Sequence, residues 1–252
     1  MASLPPGYAL TALDRVDSTS AEAHRRALDG APDGTVIFAN SQDSGRGRRG
    51  RAWESPPGNL YCSLILRPAA PLKHWPNLSF IAALAVADTL DKVLGFPDFA
   101  RCKWPNDVLL DGAKVAGILL ETAGLPQAPC VILGIGINVL HHPEDTPYPA
   151  TALSKFGVEK TARAITEDLI GALDTWRKRW ERDGFGGIRN AWVARAVNLG
   201  ERIVVRTADQ ELHGTFLDLD PEGALILECQ GKKQLITAGD VFAEGGRHAS
   251  RH

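Results

Sequence analysis

Two hydrophobic periods organise the chain. Tyr8–Val16 alternates apolar and polar positions and predicts a strand, while Thr35–Asn40 and Leu60–Leu66 read as strands with a large apolar share. Between the first two, Asp17-Ser-Thr-Ser20 precedes Ala21–Asp29, which predicts a helix. Asp17 and Ser18 are good N-cap types, and Glu22 suits the positive end of the helix dipole. Leu78–Leu94 places Phe80, Ile81, Leu84, Ala85, Leu90 and Leu94 near the 3.6-residue period and predicts a core helix ended by Gly95-Phe-Pro97. Ala100–Trp104 leads into the polar turn Pro105-Asn-Asp107. Val108–Leu110 and Lys114–Glu121 then predict a hairpin about Asp111-Gly112. Val131–Leu140 predicts a central strand, with Gly134 and Gly136 on one face leaving room for something to approach closely.

The period changes again downstream. Thr161–Asp183 is amphipathic and Gly184–Leu199 predicts a further helix. From Gly200 onward, Arg202–Arg206, Glu211–Leu219, Ala224–Glu228 and Lys233–Thr237 are short strands split by turn residues, the pattern of a small barrel. The expected fold is α+β: a mixed sheet flanked by helices over residues 8–199, a small β module over 200–243, and a polar, disordered tail over 244–252.

Composition narrows the function classes. With 252 residues and a net charge of −2, the chain is not a bulk nucleic-acid binder. Cys62, Cys102, Cys130 and Cys229 are far apart and form no Cys-x-x-Cys pair, which fits free thiols in a reducing, cytoplasmic setting. No signal peptide opens the chain, and no apolar run reaches the ~18 residues of a membrane span. His141-His142 lacks nearby metal-ligating partners and reads as surface.

Against that near-neutral body, one stretch stands out. Gly45-Arg-Gly-Arg-Arg-Gly-Arg51 carries Arg46, Arg48, Arg49 and Arg51 on a glycine-rich turn that ends at Trp53. Glycine lets backbone N–H groups come close to a ligand, and arginine forks bind phosphate or carboxylate with paired hydrogen bonds. The stretch therefore reads as an anion cradle, with a nucleic-acid contact or an inert turn as its alternatives. Four further polar islands interrupt core-forming sequence at strand ends and turns: Asp17–Ser20, Lys103–Asp107, Lys114 and Asn138. Each alone has a plain structural explanation. Together they suit nucleotidyl transfer, in which cations stabilise developing phosphate charge and Asp107 could hold Mg²⁺.

These motifs, in this order, resemble the biotin–protein ligase family. Gly45–Trp53 is similar to its biotinyl-adenylate loop, and Lys103-Trp-Pro-Asn-Asp107, Lys114-Val-Ala-Gly-Ile118 and Gly134-Ile-Gly-Ile-Asn138 to its other signatures. The resemblance covers about residues 8–243 and implies a class II synthetase-like catalytic domain followed by an SH3-like module. It implies a ligase that consumes ATP with Mg²⁺, makes biotinyl-5′-AMP, and passes biotin to a lysine of a carboxylase's carrier domain. It further implies that Ser18, Thr19 and Gln42 bind the ureido ring, with Ser20, Gly45 and Gly117 beside them. Arg46 and Arg48 would gather carboxylate and α-phosphate, and Arg49 and Arg51 would serve ATP. Lys114 would stabilise the adenylation transition state with Arg48 and Asp107 close by. Lys103, Asn106 and Asn138 would lie near the nucleotide, and Trp53 would close over adenine. The family usually has Ser-Thr-Asn where this chain has Ser18-Thr19-Ser20.

Three rivals remain at this point. A lipoate or octanoate transferase shares the wider fold, although Gln42 and the Arg46–Arg51 spacing favour biotin. A nucleic-acid module would use the same arginines. A ligase that is also a repressor needs a helix-turn-helix ahead of the first signature, and that signature already begins at Asp17, so no specific DNA binding is expected. An exposed sheet edge would admit a homodimer, but no strand in the sequence is marked for it.

Overall fold

The computed structural model describes residues 4–146 and 148–244. Strands β1 (Ala9–Val16), β2 (Thr35–Gln42), β3 (Leu60–Leu66), β4 (Arg101–Lys103), β5 (Asp107–Leu110), β6 (Ala113–Leu125) and β7 (Ala128–Ile137) form one mixed sheet in the order β1-β2-β3-β7-β6-β5-β4. Only β1 and β2 run parallel, as their crossover through helix α1 (Thr19–Leu28) requires. The β5–β6 hairpin turns at Asp111 and Gly112, both at positive φ, as a two-residue primed turn demands.

Each face of the sheet buries a different layer. On one face, Ala23 and Ala27 of α1 pack on Ile37, Ile65 and Ile132. On the other, α2 (Asn77–Leu94) and α3 (Ala162–Asp183) cover the main core, with α4 (Phe185–Ala194) behind. Gly95 ends α2 in the left-handed conformation.

A five-stranded antiparallel sheet follows: β8 (Arg202–Arg206), β9 (Glu211–Leu219), β10 (Leu225–Cys229), β11 (Lys232–Ile236) and β12 (Asp240–Ala243), ordered β11-β10-β9-β8-β12. It shares the main core through Phe80, whose ring meets Phe185 and Trp192 edge-on at 5.4 Å each. Gly223 sits against that ring at φ 93, where an added Cβ would lie 2.8 Å from Phe80. The Trp104 indole N–H donates to the Gly223 carbonyl at 3.2 Å. The second sheet is thus seated on the Lys103–Asp107 turn.

Several boundaries differ from expectation for local reasons. α1 starts at Thr19 because Ser18 is the N-cap, its hydroxyl accepting from the Ala21 N–H. β7 ends at Ile137, leaving Asn138 outside the strand. α4 stops at Ala194, and the chain then runs beside β4, where Cys102 N–H donates to Arg195 O and Val197 N–H to Cys102 O. β12 was not foreseen; it is four residues long and pairs with β8 at the opposite end of the sheet from β11. Glu244, placed in the tail by sequence, pairs with Arg202; residues 245–252 lie outside the described residues.

Asp91, near the end of α2, holds the following loop. Its carboxylate accepts from the backbone of Asp98 (2.9 Å), Phe99 (3.2 Å) and Ala100 (2.8 Å) and from Arg195 (2.6 Å). Asp91→Ala strips four donors of one buried acceptor and is expected to cost about 3 kcal/mol in urea unfolding. A loss below about 1 kcal/mol would mean that the loop re-bonds elsewhere.

Candidate active site

The face of the sheet under α1 carries the chemistry, because its register lines up functional positions from distant segments. Lys103 opposes Asp107, Asp107 opposes Gly117, Gly117 opposes Gly136, and Gly136 opposes Tyr61. A β-bulge resets this pattern at one point: Val108 opposes Ala116 but Leu109 opposes Lys114. The extra residue, Val115, turns Lys114 to the side that bears Gly117 and Asp107, which odd spacing would otherwise prevent. Lys114 Nζ then lies 2.7 Å from Asp107 Oδ1. The contact is ionic rather than an aligned hydrogen bond, since that buried oxygen has no hydrogen-bonded partner among the described residues.

At the α1 end a buried polar network forms. Gln42 Oε1 accepts from the Thr19 N–H (2.8 Å) and hydroxyl (3.1 Å), and Gln42 Nε2 donates to Ser55 Oγ (2.8 Å). Ser63 Oγ donates to Thr19 Oγ1 (2.8 Å) and lies 3.1 Å from Ser20 Oγ. Ser18, Thr19, Ser20 and Ser63 are each at most 5% exposed, so every hydroxyl needs a partner. Ser55 and Ser63 escape sequence reading, since a lone serine in an apolar strand or turn carries no pattern of its own.

The Arg/Gly stretch closes over the middle of this face. Gly45 accepts from the Trp53 N–H (2.9 Å), and Arg46 bridges to Ala52, so the stretch is a tight antiparallel turn. Arg49 and Gly50 take positive φ at its tip. A Cβ at Gly45 would lie 2.3 Å from Trp53 O, so this glycine serves the turn's own packing. The Trp53 indole occupies the room left by Gly117 and Gly136, where added Cβ atoms would lie 2.9 and 2.7 Å from it. Ser20 similarly fills the space over Gly134. Trp53 lies 5.4 Å from Lys114 Nζ, and its buried Nε1 has no partner among the described residues.

The arginines have separate duties. Arg48 donates to Asn106 Oδ1 at 2.8 Å, and Asn106 Nδ2 donates to Ile118 O at 2.7 Å, which ties the turn to the sheet. Burial pushes the Arg48 guanidinium below its usual range. Arg49 and Arg51 reach across to Asp240 of β12 at 3.5 and 2.5 Å. Lys103 stands between the Tyr148 and Phe242 rings, 5.7 Å from each, and burial lowers its ammonium pKa although Asp107 opposes that.

The structure thus gathers Ser18, Thr19, Ser20, Gln42, Arg46, Arg48, Arg51, Trp53, Lys103, Asn106, Asp107, Lys114 and Gly117 around one cleft. Gly45, Arg49 and Asn138 do not line it. Asn138 is 4% exposed and is spent inside the fold, its amide donating to Thr151 O (3.0 Å) and its backbone bonding Val115 and Leu153. Its polarity braces the loop after β7. Tyr148, Asp240 and Phe242 join the cleft from segments with no motif. Asp107 belongs to no group of three or more metal-ligating side chains among the described residues.

Comparison with known proteins gives a consistent picture. The model of the biotin/lipoate A/B protein ligase family matches residues 12–138, and that of the biotin protein ligase C-terminal domain matches 199–243. The chain is 42% identical over 240 residues to the biotin–[acetyl-CoA-carboxylase] ligase of Paracoccus denitrificans, covering 92% of this chain and 100% of that one. It is 32% identical to the bifunctional ligase/repressor BirA of Escherichia coli, covering 93% of this chain and 74% of that one. Biotin protein ligase from Aquifex aeolicus, solved in complex with biotin and ATP, superposes with a TM-score of 0.80 at 28% identity, over 92% of this chain and 97% of that one. The chain belongs to the biotin/lipoate A/B protein ligase family.

Proposed function

We propose that this chain is the ligase that attaches biotin, at the expense of ATP, to a lysine of a carboxylase's carrier domain through biotinyl-5′-AMP. The observation that carries it is the continuity of the cleft: a buried amide–hydroxyl network at one end runs into paired Lys114 and Asp107 under a cationic turn. Biotin suits the network. A ureido group offers one carbonyl and two N–H groups to the hydroxyls and amide of Ser18, Thr19, Ser20 and Gln42. A lipoyl dithiolane has neither, so it would open the hydrogen bonds these groups make with one another without replacing them, at about 1–3 kcal/mol for each buried group left unpaired. A nucleic-acid reading of the arginines is disfavoured, because Arg48, Arg49 and Arg51 already bond Asn106 and Asp240.

The chemistry follows from position. With the ring at the network, the valeryl chain points toward Lys114, and the Trp53 indole that fills the room over Gly117 and Gly136 swings aside to admit it. Lys114 and Arg48 neutralise the charge shared between the carboxylate and the α-phosphate as they meet. A carboxylate oxygen bonds to phosphorus, and the bond from the α-phosphorus to the bridging oxygen breaks, releasing pyrophosphate. The carrier's lysine amine then attacks the carbonyl of the mixed anhydride and AMP leaves. Trp53 and the Arg/Gly turn keep water from that anhydride. ATP arrives as its magnesium complex in this reading. Phosphate oxygens and water supply most of the ion's ligands, and Asp107 adds at most one protein carboxylate, which fits the sparse acidic set. The reducing cytoplasm suits the protein's four free cysteines. No helix among the described residues is long and apolar enough to cross a membrane.

Parallel calorimetric titrations with biotin and lipoate test the reading. Micromolar or tighter binding of biotin, and far weaker binding of lipoate, is expected. Tight lipoate binding without biotin binding would overturn it.

A further inference from the structure

The functional face does not end at Lys114. The next cross-strand row is Arg101, Leu109 and Lys114, and it opens into a second cavity bounded by the 196–199 segment and β12. Lys103, Lys114, Tyr148 and Phe242 line both cavities and form the wall between them. Tyr148 is set there by a strap: Lys114 N–H donates to Pro149 O (2.8 Å), Thr151 N–H donates to Lys114 O (2.9 Å), and Lys114 bridges to Ala150. Its ring lies 5.3 Å from Lys114 Nζ and 5.7 Å from Lys103 Nζ.

The charge of this second cavity is one-sided. Arg101, Lys103 and Lys114 line it against a single acid, Glu201. Among the described residues neither Arg101 nor Lys103 has a carboxylate within ion-pair distance, in a chain where most arginines do. Asp107 and Asp240 act on Lys103 only at longer range, so this partly enclosed, mainly cationic wall still favours an anion. The direction is equally specific. In-line displacement puts the nucleophile and the leaving group on opposite sides of phosphorus. The nucleophilic carboxylate comes from the Ser18–Ser20 end, so the leaving group departs past Lys114 toward Arg101.

We propose that this second cavity receives the pyrophosphate displaced from ATP, with Arg101 and Lys103 as its ligands and Tyr148 as the partition that separates it from the adenylate. The inference rests on the ligase reading above. When the bond from the α-phosphorus to the bridging oxygen breaks, its electron pair leaves on the pyrophosphate oxygen, and Arg101 and Lys103 take up that charge. The same cations make the cavity a poor route for a protonated acceptor lysine.

The test is biotin-dependent ATP–pyrophosphate exchange at varied magnesium pyrophosphate, in the parent, Arg101→Gln and Arg101→Lys. Losing one charged pair is expected to raise the KM for pyrophosphate about tenfold in Arg101→Gln, with much of it recovered in Arg101→Lys. Transfer to the carrier domain from added biotinyl-5′-AMP should change far less, since that step involves no pyrophosphate. Biotin titration of each variant reports an intact first cavity. An unchanged pyrophosphate KM overturns the assignment. So does a transfer defect as large as the exchange defect, which would give the cavity to the acceptor instead. A parent that shows no exchange with biotin at all refutes the ligase reading itself, a different failure.

Discussion

Lys114→Gln is expected to slow biotin-dependent ATP–pyrophosphate exchange by about 10²–10³-fold while leaving the fold in place. The bulge at Val115 delivers the ammonium to Asp107 at 2.7 Å, beside the Trp53 and Tyr148 rings. A fixed cation in this enclosed position needs no rearrangement as charge builds on the α-phosphate oxygens. Glutamine offers an amide N–H in place of the ammonium, and Lys103, opposite Asp107 in the register, still offsets its charge, so the carboxylate is not stranded. The loss should fall on the rate of adenylation and far less on the biotin Kd. An unchanged exchange rate would remove Lys114 from the chemistry. A loss of cooperative melting would show that its pairing with Asp107 is structural.

Arg48→Ala is expected to release the intermediate. Through Asn106, Arg48 is the turn's side-chain hydrogen bond to the sheet, whereas Arg49 and Arg51 hold it to β12. Losing a half-buried, charge-assisted bond costs about 1.5–3 kcal/mol, which corresponds to roughly 10–100-fold faster escape of biotinyl-5′-AMP. Free adenylate acylates any exposed amine, so non-cognate lysines in the mixture should become biotinylated. Arg48→Lys keeps the charge but not the fork, and should fall between the two. If Arg48→Ala retained the adenylate as long as the parent in rapid gel filtration, Asn106 would not be the turn's latch.

How much of this was legible beforehand depends on where each signal is stored. Residues 45–51 declare themselves by composition, and the Lys103–Asp107 turn by polarity between two apolar runs. The strand order and the bulge are not written locally. Lys114 and Gly117 differ by an odd number, and only the register against β5 shows that they share a face. Gly134 and Gly136 were rightly read as places of close approach, but what approaches is Ser20 and Trp53 of the chain itself. A buried amide such as Asn138, bonded to Thr151, has the same sequence signature as one facing a ligand, so polarity at a strand end does not separate the two. Ser63, Tyr148 and Asp240 had no signal, since each matters only through a partner far along the chain: Thr19, Lys114 and Arg51.

The measurement closest to the central claim is the intact mass of a biotin carboxyl carrier domain after incubation with this protein, biotin and MgATP. A gain of a single biotinyl group on the carrier lysine, dependent on ATP and lost when that lysine is replaced by arginine, is the expected result. An unmodified carrier under those conditions, or a lipoyl or octanoyl adduct in its place when those acids are supplied, would contradict the account.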